Sequence, residues 1–477
     1  HVFRRRQRQM CIRDRDFYIK LHFPQQSYLC NMTKGKGQGA FVSGFSKKTK
    51  AEKLDWISQQ FHNPAQALEV LQNYNHSNKE LQTLHDEFIE NAITNFYMPL
   101  GVAPNFNING TVLTIPMAIE ESSVVAAASN AAKFWSTKGG FTATVLGTEK
   151  VGQIHFMYLG DSQKLYQFFE QHKKALLAST DEITHNMRSR GGGITALNLV
   201  DKSNAIAGYY QLDVRFETQD AMGANFINSC LEQLATQLKA LAAKYPDFSE
   251  EEKAIEVVMS ILSNYVPNCL VEASVSCPVD ELLPTAEASK LFAEKFVQAV
   301  RIAEVEPFRA VTHNKGVMNG IDAVVMASGN DFRAVAAGIH AHAAASGQYR
   351  SLSKAEIKND IFKFSLRVPL AIGTVGGLTK LHPLVRWCHE LMGTPNAQEL
   401  MQIVAVAGLA QNFAAVKSLV TTGIQQGHMK MHLLNILNQL QATESEKKAA
   451  IAHFKDNTVS HHTCLLYTSP SPRDTSS

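Results

Sequence analysis

The sequence predicts an α+β protein, because helical and strand patterns occupy separate stretches of the chain. Three stretches carry that prediction. From about Lys48 to Asn95 apolar residues recur at helical spacing; Asn105 to Pro116 alternates about Asn109-Gly110, the dipeptide of a tight hairpin; and the last third returns to helical spacing, interrupted at Gly373 to Gly377.

At 477 residues, with 45% apolar and 19% charged content, the chain can bury a substantial core and divides into two or three units. It shows no apolar run of ~20 residues and no apolar signal-peptide core at its start, which predicts a cytoplasmic protein that does not enter a membrane. The two ends stand apart. His1 to Arg15 and Cys464 to Ser477 match nothing around them, and their strings Met-Cys-Ile-Arg and Cys-Leu-Leu-Tyr-Thr can be written by the two strands of one nucleotide sequence resembling a transposon-derived sequencing adapter. Residues 1–31 and 464–477 are therefore excluded from the fold, with Met32 as the expected start. The first fifteen residues carry six Arg and one Asp; without both ends the net charge falls from +3 to −2, and with it goes the basic character that would suggest nucleic acid or anionic lipid. Cys230, Cys269, Cys277 and Cys388 remain, scattered and without CxxC spacing, which fits a reducing compartment and neither a disulfide framework nor a zinc site.

After the hairpin, Ile119 to Lys133 reads as a small-residue helix suited to close packing. Tyr210, Leu212, Val214 and Phe216 alternate with Gln211, Asp213, Arg215 and Glu217, the pattern of a strand with one wet face, and a helix is expected to start near Asp220. The same strand-to-helix change is expected within Ile321 to Ala345, where IDAVVMAS passes through Ser328-Gly329-Asn330 into a helical stretch.

Two glycine-containing stretches could receive a phosphate. DAMGAN, Asp220 to Asn225, stands where a helix begins, and GTVGG, Gly373 to Gly377, could do the same; neither follows GxGxxG, and each alone also reads as a tight turn. Lys315, in the polar stretch THNKGVMNG, could steady an oxyanion or be a solvated loop lysine, and Asp331 could join it or cap a helix. Glu90 is expected at the inner end of a helix. His428 and His432 share helical spacing, but no third ligand accompanies them, so no metal is expected.

Six stretches occur in a fixed order: ENAIT at Glu90, EESSVVAAASNAAK at Glu120, DAMGAN at Asp220, FRAVTHNKGVMNGIDAVVMASGNDFRAV at Phe308, GTVGG at Gly373 and GIQQGHM at Gly423. Together they resemble the class II 3-hydroxy-3-methylglutaryl-coenzyme A (HMG-CoA) reductases, soluble enzymes that interconvert HMG-CoA and mevalonate plus coenzyme A with NADH or NADPH and no metal. The span runs from about Gly44 to His462. The resemblance implies a large mixed substrate-binding domain around a long helix (32–112 and 220–422), an inserted ferredoxin-like cofactor domain (113–219) and a helical C-terminal flap (423–463). It also implies a homodimer or higher even oligomer with active sites at the subunit interface.

By that resemblance Lys315 would polarise the thioester and aldehyde carbonyls, Glu90 would supply a proton to the developing alkoxide, and Asp331 would hold both. Arg309 and Asn319 would grip the substrate's carboxylate and hydroxyl. His428, carried on the flap with Gly423 and Gly427 as hinges, would protonate the departing coenzyme A thiolate. Asp220, Met222, Gly223, Asn225, Gly376 and Gly377 would line the nicotinamide cofactor. Asp161 would favour NADH by accepting from a ribose hydroxyl, whereas Lys164 would suit a 2′-phosphate. The chain departs from the family at Ser122, where proline is usual, and at Ser46, where an arginine often meets coenzyme A phosphates and Lys47 is the available substitute. Two rivals stand beside this reading: a dehydrogenase using a cysteine nucleophile, for which Cys230 is the one candidate, and a non-catalytic acyl-CoA-binding paralogue.

Overall fold

The computed structural model describes residues 41–421, 433, 436, 437 and 442–454. The excluded ends, the expected start at Met32, and Gly423, Gly427, His428 and His432 of the expected flap lie outside the described residues. Two compact units are distinguished, one holding residues up to Met98 together with those from Leu433 onward, the other Pro99–His432.

In the first unit the helical spacing after Lys48 becomes α1 (Lys50–Ser58), α2 (Pro64–Asn73) and α3 (Lys79–Asp86). Each start is fixed by a side-chain cap. Thr49 and Glu52 form a reciprocal box, Asn63 caps ahead of Pro64, and Asn78 caps the third helix. Lys50 Nζ lies 2.7 Å from Asp86 Oδ1, tying α1 to the end of α3. That end falls earlier than expected. Glu90 sits in an exposed turn beyond it, followed by Asn91 in the left-handed region (φ 59°), and not at the inner end of a helix. The helix Glu444–His453 contributes Ala450 to a small apolar cluster with Leu433, Ile436, Leu437, Ala442 and Phe454.

The second unit opens with the hairpin of β1 (Leu100–Ile108) and β2 (Thr111–Ala118), turned by Asn109 and Gly110 at φ 51° and 88°. α4 (Val124–Ser136) packs on it through Ala128, Ala132 and Trp135. It begins later than the sequence suggests, because Ser123 takes a left-handed conformation (φ 72°). β3 (Thr142–Val145) forms the edge of an antiparallel sheet in the order β3-β8-β10-β9, where β8 is Leu270–Pro278, β9 Ser353–Lys358 and β10 Ile361–Pro369.

A second antiparallel sheet has the order β5-β6-β4-β7, formed by β4 (Lys150–Met157), β5 (Gly193–Asp201), β6 (Tyr209–Glu217) and β7 (Glu256–Ser263). α5 (Ser162–Ala178) and α6 (Asp181–Arg188) connect β4 to β5, and α7 (Ala224–Ala242) with the short α8 (Glu250–Lys253) connects β6 to β7. This strand and helix order is ferredoxin-like, and it has its own core around Phe156, Phe168, Leu212 and Leu234. The arrangement spans Lys150 to Ser263, against the 113–219 expected: the change from strand to helix after Glu217 is an internal crossover, not the exit from the domain. The wet face predicted for β6 is also drier than expected. β6 is a central strand, and Gln211 and Asp213 are buried beneath their neighbours, with Asp213 accepting from Arg215 Nε at 2.7 Å.

The remaining helices frame the first sheet. α9 (Ala286–Val305) runs into α10 (Pro307–Ala327), which starts at Pro307 with Glu306 accepting from the N–H groups of Phe308 and Arg309. IDAVVMAS, expected as a strand, is the end of α10. Its residues from Ala323 to Val325 are buried on consecutive positions, so no periodicity was left to tell helix from strand. The opposite error falls at β9 and β10, read as helical, whose two-residue turn Asn359-Asp360 has φ 52° and 57°. α11 (Phe332–Ala343), the short α12 (Leu378–Leu381) and α13 (Pro383–Leu391) lead to α14, Ala397–Val420.

α14 bears on the expectation that no stretch spans a membrane. Its 24 residues are long and apolar enough to cross a membrane by length and composition, yet most of the stretch is buried within this unit. Ala405 to Leu409 are buried without a break, as befits a helix surrounded by protein. It crosses α10 closely, since a Cβ on Gly320 would lie 2.3 Å from the Ala407 carbonyl oxygen.

Candidate functional site

α10 presents the candidate substrate residues. Positions 308, 312, 315 and 319 share a helical face, and this face carries exposed Phe308, Thr312 and Lys315 and half-buried Asn319. Lys315 is therefore a residue of a helix interior, not of a loop. Its Nζ lies 2.5 Å from Glu121 Oε2, with the two side chains 57% and 39% exposed. Glu121 follows β2 in the acidic pair with Glu120, and sequence reasoning did not single it out; the pairing joins residues 194 positions apart, which no local pattern reveals.

Asp331 is the N-cap of α11, accepting from the N–H groups of Arg333 and Ala334, and Arg333 Nε adds an ion pair at 3.0 Å. The Arg333 guanidinium holds its carboxyl below the usual range. Lys315 and Asp331 thus have different partners, Glu121 and Arg333. Glu90 belongs to the first unit. Arg309, half-buried, engages Glu306 through its backbone N–H at 2.6 Å.

The two glycine-containing stretches meet. Ala221 and Val375 form a parallel bridge, and the Thr374 N–H donates to the Asp220 carbonyl at 2.8 Å. Asn330 clasps the same loop, donating to the Gly373 carbonyl at 3.0 Å and accepting from its N–H at 2.8 Å. Only glycine fits at 373, since a Cβ there would lie 2.4 Å from the Met222 nitrogen. Asp220 has a structural task as well: its Oδ1 accepts from the Ala397 N–H at the start of α14, 2.9 Å away. α7 begins at Gly223 (φ 93°) with no side chain capping its first turn, exposed Asn225 lies within that turn, and Met222 immediately precedes it. Gly376 and Gly377 have positive φ and open space where side chains would stand. An uncapped helix start beside an uncrowded glycine turn fits a phosphate-bearing cofactor such as a dinucleotide.

Asp161 caps α5 by accepting from the Gln163 N–H at 2.7 Å. Beneath it lies a residue the sequence reading passed over. Glu252 accepts from the Asp161 N–H at 3.1 Å, from the Tyr158 hydroxyl at 3.2 Å and from Lys164 Nζ at 3.1 Å. Hydrogen bonding from the Ser249 backbone, with the Asp161 N–H and Lys164 adding to it, brings the Glu252 carboxyl down to about 2 against the cost of burial. The spacing Ser249-x-x-Glu252 of a capping box was the available signal.

The cysteine-nucleophile rival fails on burial. Cys230 is fully buried on α7, and desolvation pushes its thiol up to about 12. All four described cysteines are buried. Among the described residues, a helix-borne lysine and buried thiols are compatible with a class of enzymes that work on carbonyls without a cysteinyl intermediate.

Comparison with known proteins gives that class its family. The family model for hydroxymethylglutaryl-coenzyme A reductase matches residues 49–433. The chain is 36% identical over 363 residues to 3-hydroxy-3-methylglutaryl-coenzyme A reductase of Archaeoglobus fulgidus, covering 76% of this chain and 79% of the relative. It is 33% identical over 370 residues to the probable enzyme of Borreliella burgdorferi, covering 77% and 81%. Among solved structures, the class II reductase of Streptococcus pneumoniae bound to NADPH in open conformations is 34% identical, with a TM-score of 0.66 and coverage of 80% of this chain and all of the other. Another structure from that organism has a TM-score of 0.67 and covers 89% and 99%. The chain belongs to the hydroxymethylglutaryl-coenzyme A reductase family, and it is an oxidoreductase.

Proposed function

We propose that the protein interconverts HMG-CoA and mevalonate plus coenzyme A, and that Lys315 polarises the reacting carbonyl. The observation that carries this reading is an ammonium group presented on an exposed helix face and steadied by Glu121 in a chain of this family. When bound, a reduced nicotinamide would supply one hydride, and two such cofactors are consumed for each thioester taken to the alcohol. The chain's own groups do the rest. Lys315 stabilises negative charge as it develops on oxygen; Glu90 donates the proton; Asp331 orients the pair when substrate is bound; Arg309 and Asn319 hold the substrate's carboxylate and hydroxyl; His428 protonates the departing thiolate, and its thiol product, coenzyme A, leaves.

Met222, Gly223 and Asn225, with Gly376 and Gly377, would hold the cofactor at the uncapped start of α7, with Asp220 fixing the loop from beneath. The ion pair of Lys164 with Glu252 engages that lysine and leaves the neighbouring Asp161 carboxylate exposed, which supports NADH, while NADPH is the cofactor in the S. pneumoniae structure. Exposed Phe308 and Val311 beside Lys315 support a homodimer or higher even oligomer that covers this face. Four buried free thiols support a reducing compartment, the cytoplasm. The test is a spectrophotometric assay of HMG-CoA reduction with NADH and with NADPH. HMG-CoA binding without turnover with either would instead mark a non-catalytic paralogue.

A further inference from the structure

Four polar side chains are sealed into the core where α10, β9 and α14 meet: His313, Asn314, Ser353 and Asn412, each no more than 1% exposed. They are bonded to one another and to nearby backbone. Ser353 Oγ donates to Asn412 Oδ1 at 2.8 Å, and the Asn412 amide donates to the His313 carbonyl at 3.1 Å. With the Ser353 hydrogen committed, the 2.6 Å contact between His313 Nε2 and Ser353 Oγ has the imidazole N–H as donor. Asn314 donates to the Arg350 carbonyl at 2.8 Å and accepts from the Leu352 N–H at 3.0 Å.

One polar atom of this cluster has no partner among the described residues, His313 Nδ1. The tautomer leaves it a lone pair, an acceptor inside the protein. Burial first, and then the charge of Arg309, bring the imidazole down to about 3, so it stays neutral and keeps that lone pair at physiological pH. A helical side chain leans toward the residue four positions earlier, which from His313 is Arg309. The described contacts of Arg309 comprise its backbone N–H bond to Glu306, leaving its guanidinium donors for other partners.

We propose that His313 is a positioning residue for substrate recognition: its Nδ1, unpartnered among the described residues, takes up one N–H of the Arg309 guanidinium when substrate binds, so that the remaining donors are aimed at the substrate's free carboxylate. The inference rests on the reading of Arg309 given under Proposed function. His313 itself touches no substrate. Its Nε2 side anchors α10 to β9 and α14, and its Nδ1 side sets the direction of Arg309.

The two nitrogens can be separated by substitution. In His313→Gln the amide reaches the Nε2 position and can still donate to Ser353, but no acceptor remains at the Nδ1 position. In His313→Asn the amide oxygen takes the Nδ1 position, and the bond to Ser353 is lost. Calorimetric titration of the full chain with HMG-CoA and with free coenzyme A, which lacks the carboxylate, reads the difference. The Gln variant should bind HMG-CoA about tenfold more weakly and coenzyme A as the wild type does. The Asn variant should melt at a lower temperature yet bind HMG-CoA within about twofold of wild type.

Equal weakening toward both ligands, or unchanged HMG-CoA binding, in the Gln variant would overturn the proposal. If that variant does not fold, a large loss of HMG-CoA affinity in the folded Asn variant overturns it, and retained affinity supports it. Wild-type protein that does not bind HMG-CoA would count against the function reading itself, separately from the role of His313.

Discussion

The Lys315 ammonium lies 2.5 Å from the Glu121 carboxylate and links the middle of α10 to the turn after β2. Both groups are substantially exposed, so the pair contributes at most ~1 kcal/mol to folding. Its weight falls on placement of the lysine. Glu121→Gln should leave the melting temperature nearly unchanged and lower kcat/KM for HMG-CoA by about tenfold, as read from steady-state rates and a thermal melt. An unchanged kcat/KM would reduce the contact to an ordinary surface ion pair.

Lys315→Ala should remove far more. Because the ammonium acts on charge that develops in the transition state, kcat should fall by ~10² or more while HMG-CoA still binds. Single-turnover measurements alongside equilibrium binding separate the two effects, and activity within a few-fold of wild type would contradict the assigned role.

The fold was legible where a local signal coincided with the tertiary environment. Asn109-Gly110 announced its hairpin, and the polar caps Thr49, Asn63 and Asn78 start the first three helices. It was illegible where burial on all sides erased the alternation of faces, as at Ala323 to Val325 of α10, which resembled a strand in its apolar run. About Asn359-Asp360 the chain alternates with period two, with Phe362, Phe364, Leu366 and Val368 buried, and the broad reading of the last third as helical passed over that signal. Of the site, DAMGAN and GTVGG were visible as separate stretches, but their bridge at Ala221 and Val375 was not, and neither were Glu121 and Glu252 as partners of lysines far away in the chain.

Glu252 predicts an acid-sensitive loop. Its folded-state carboxyl lies at about 2, below the ordinary value of 4.5, so its contribution is fully present above 4.5 and is lost as the pH falls toward 2. Glu252→Gln should therefore destabilise the protein at neutral pH. The gap in denaturation midpoint between variant and wild type should narrow through that window, and a gap independent of pH would show that packing, not charge, sets it.

The same cluster bears on cofactor choice. Asp161→Ala should raise KM for NADH more than KM for NADPH, because a carboxylate accepts from ribose hydroxyls and repels an added phosphate. Equal changes in both would remove Asp161 from the determination of preference.

His428 is tested by separating the two reductions. His428→Ala should abolish reduction of HMG-CoA near neutral pH, where the departing thiolate needs a proton, and leave reduction of free mevaldehyde largely intact. Equal loss of both reactions, measured with each substrate in turn, would assign His428 to positioning rather than to the leaving group.

The buried course of α14 has a consequence for biosynthesis. Emerging alone, Ala397–Val420 would present the translation machinery with a segment as apolar as a membrane anchor. Its order in the chain guards against that, because the surfaces that enclose it, on α4, α10 and β8, are all encoded earlier. As synthesis runs from the N-terminus, the segments that enclose α14 leave the ribosome before it does, so its apolar residues have partners to bury against as soon as the unit folds.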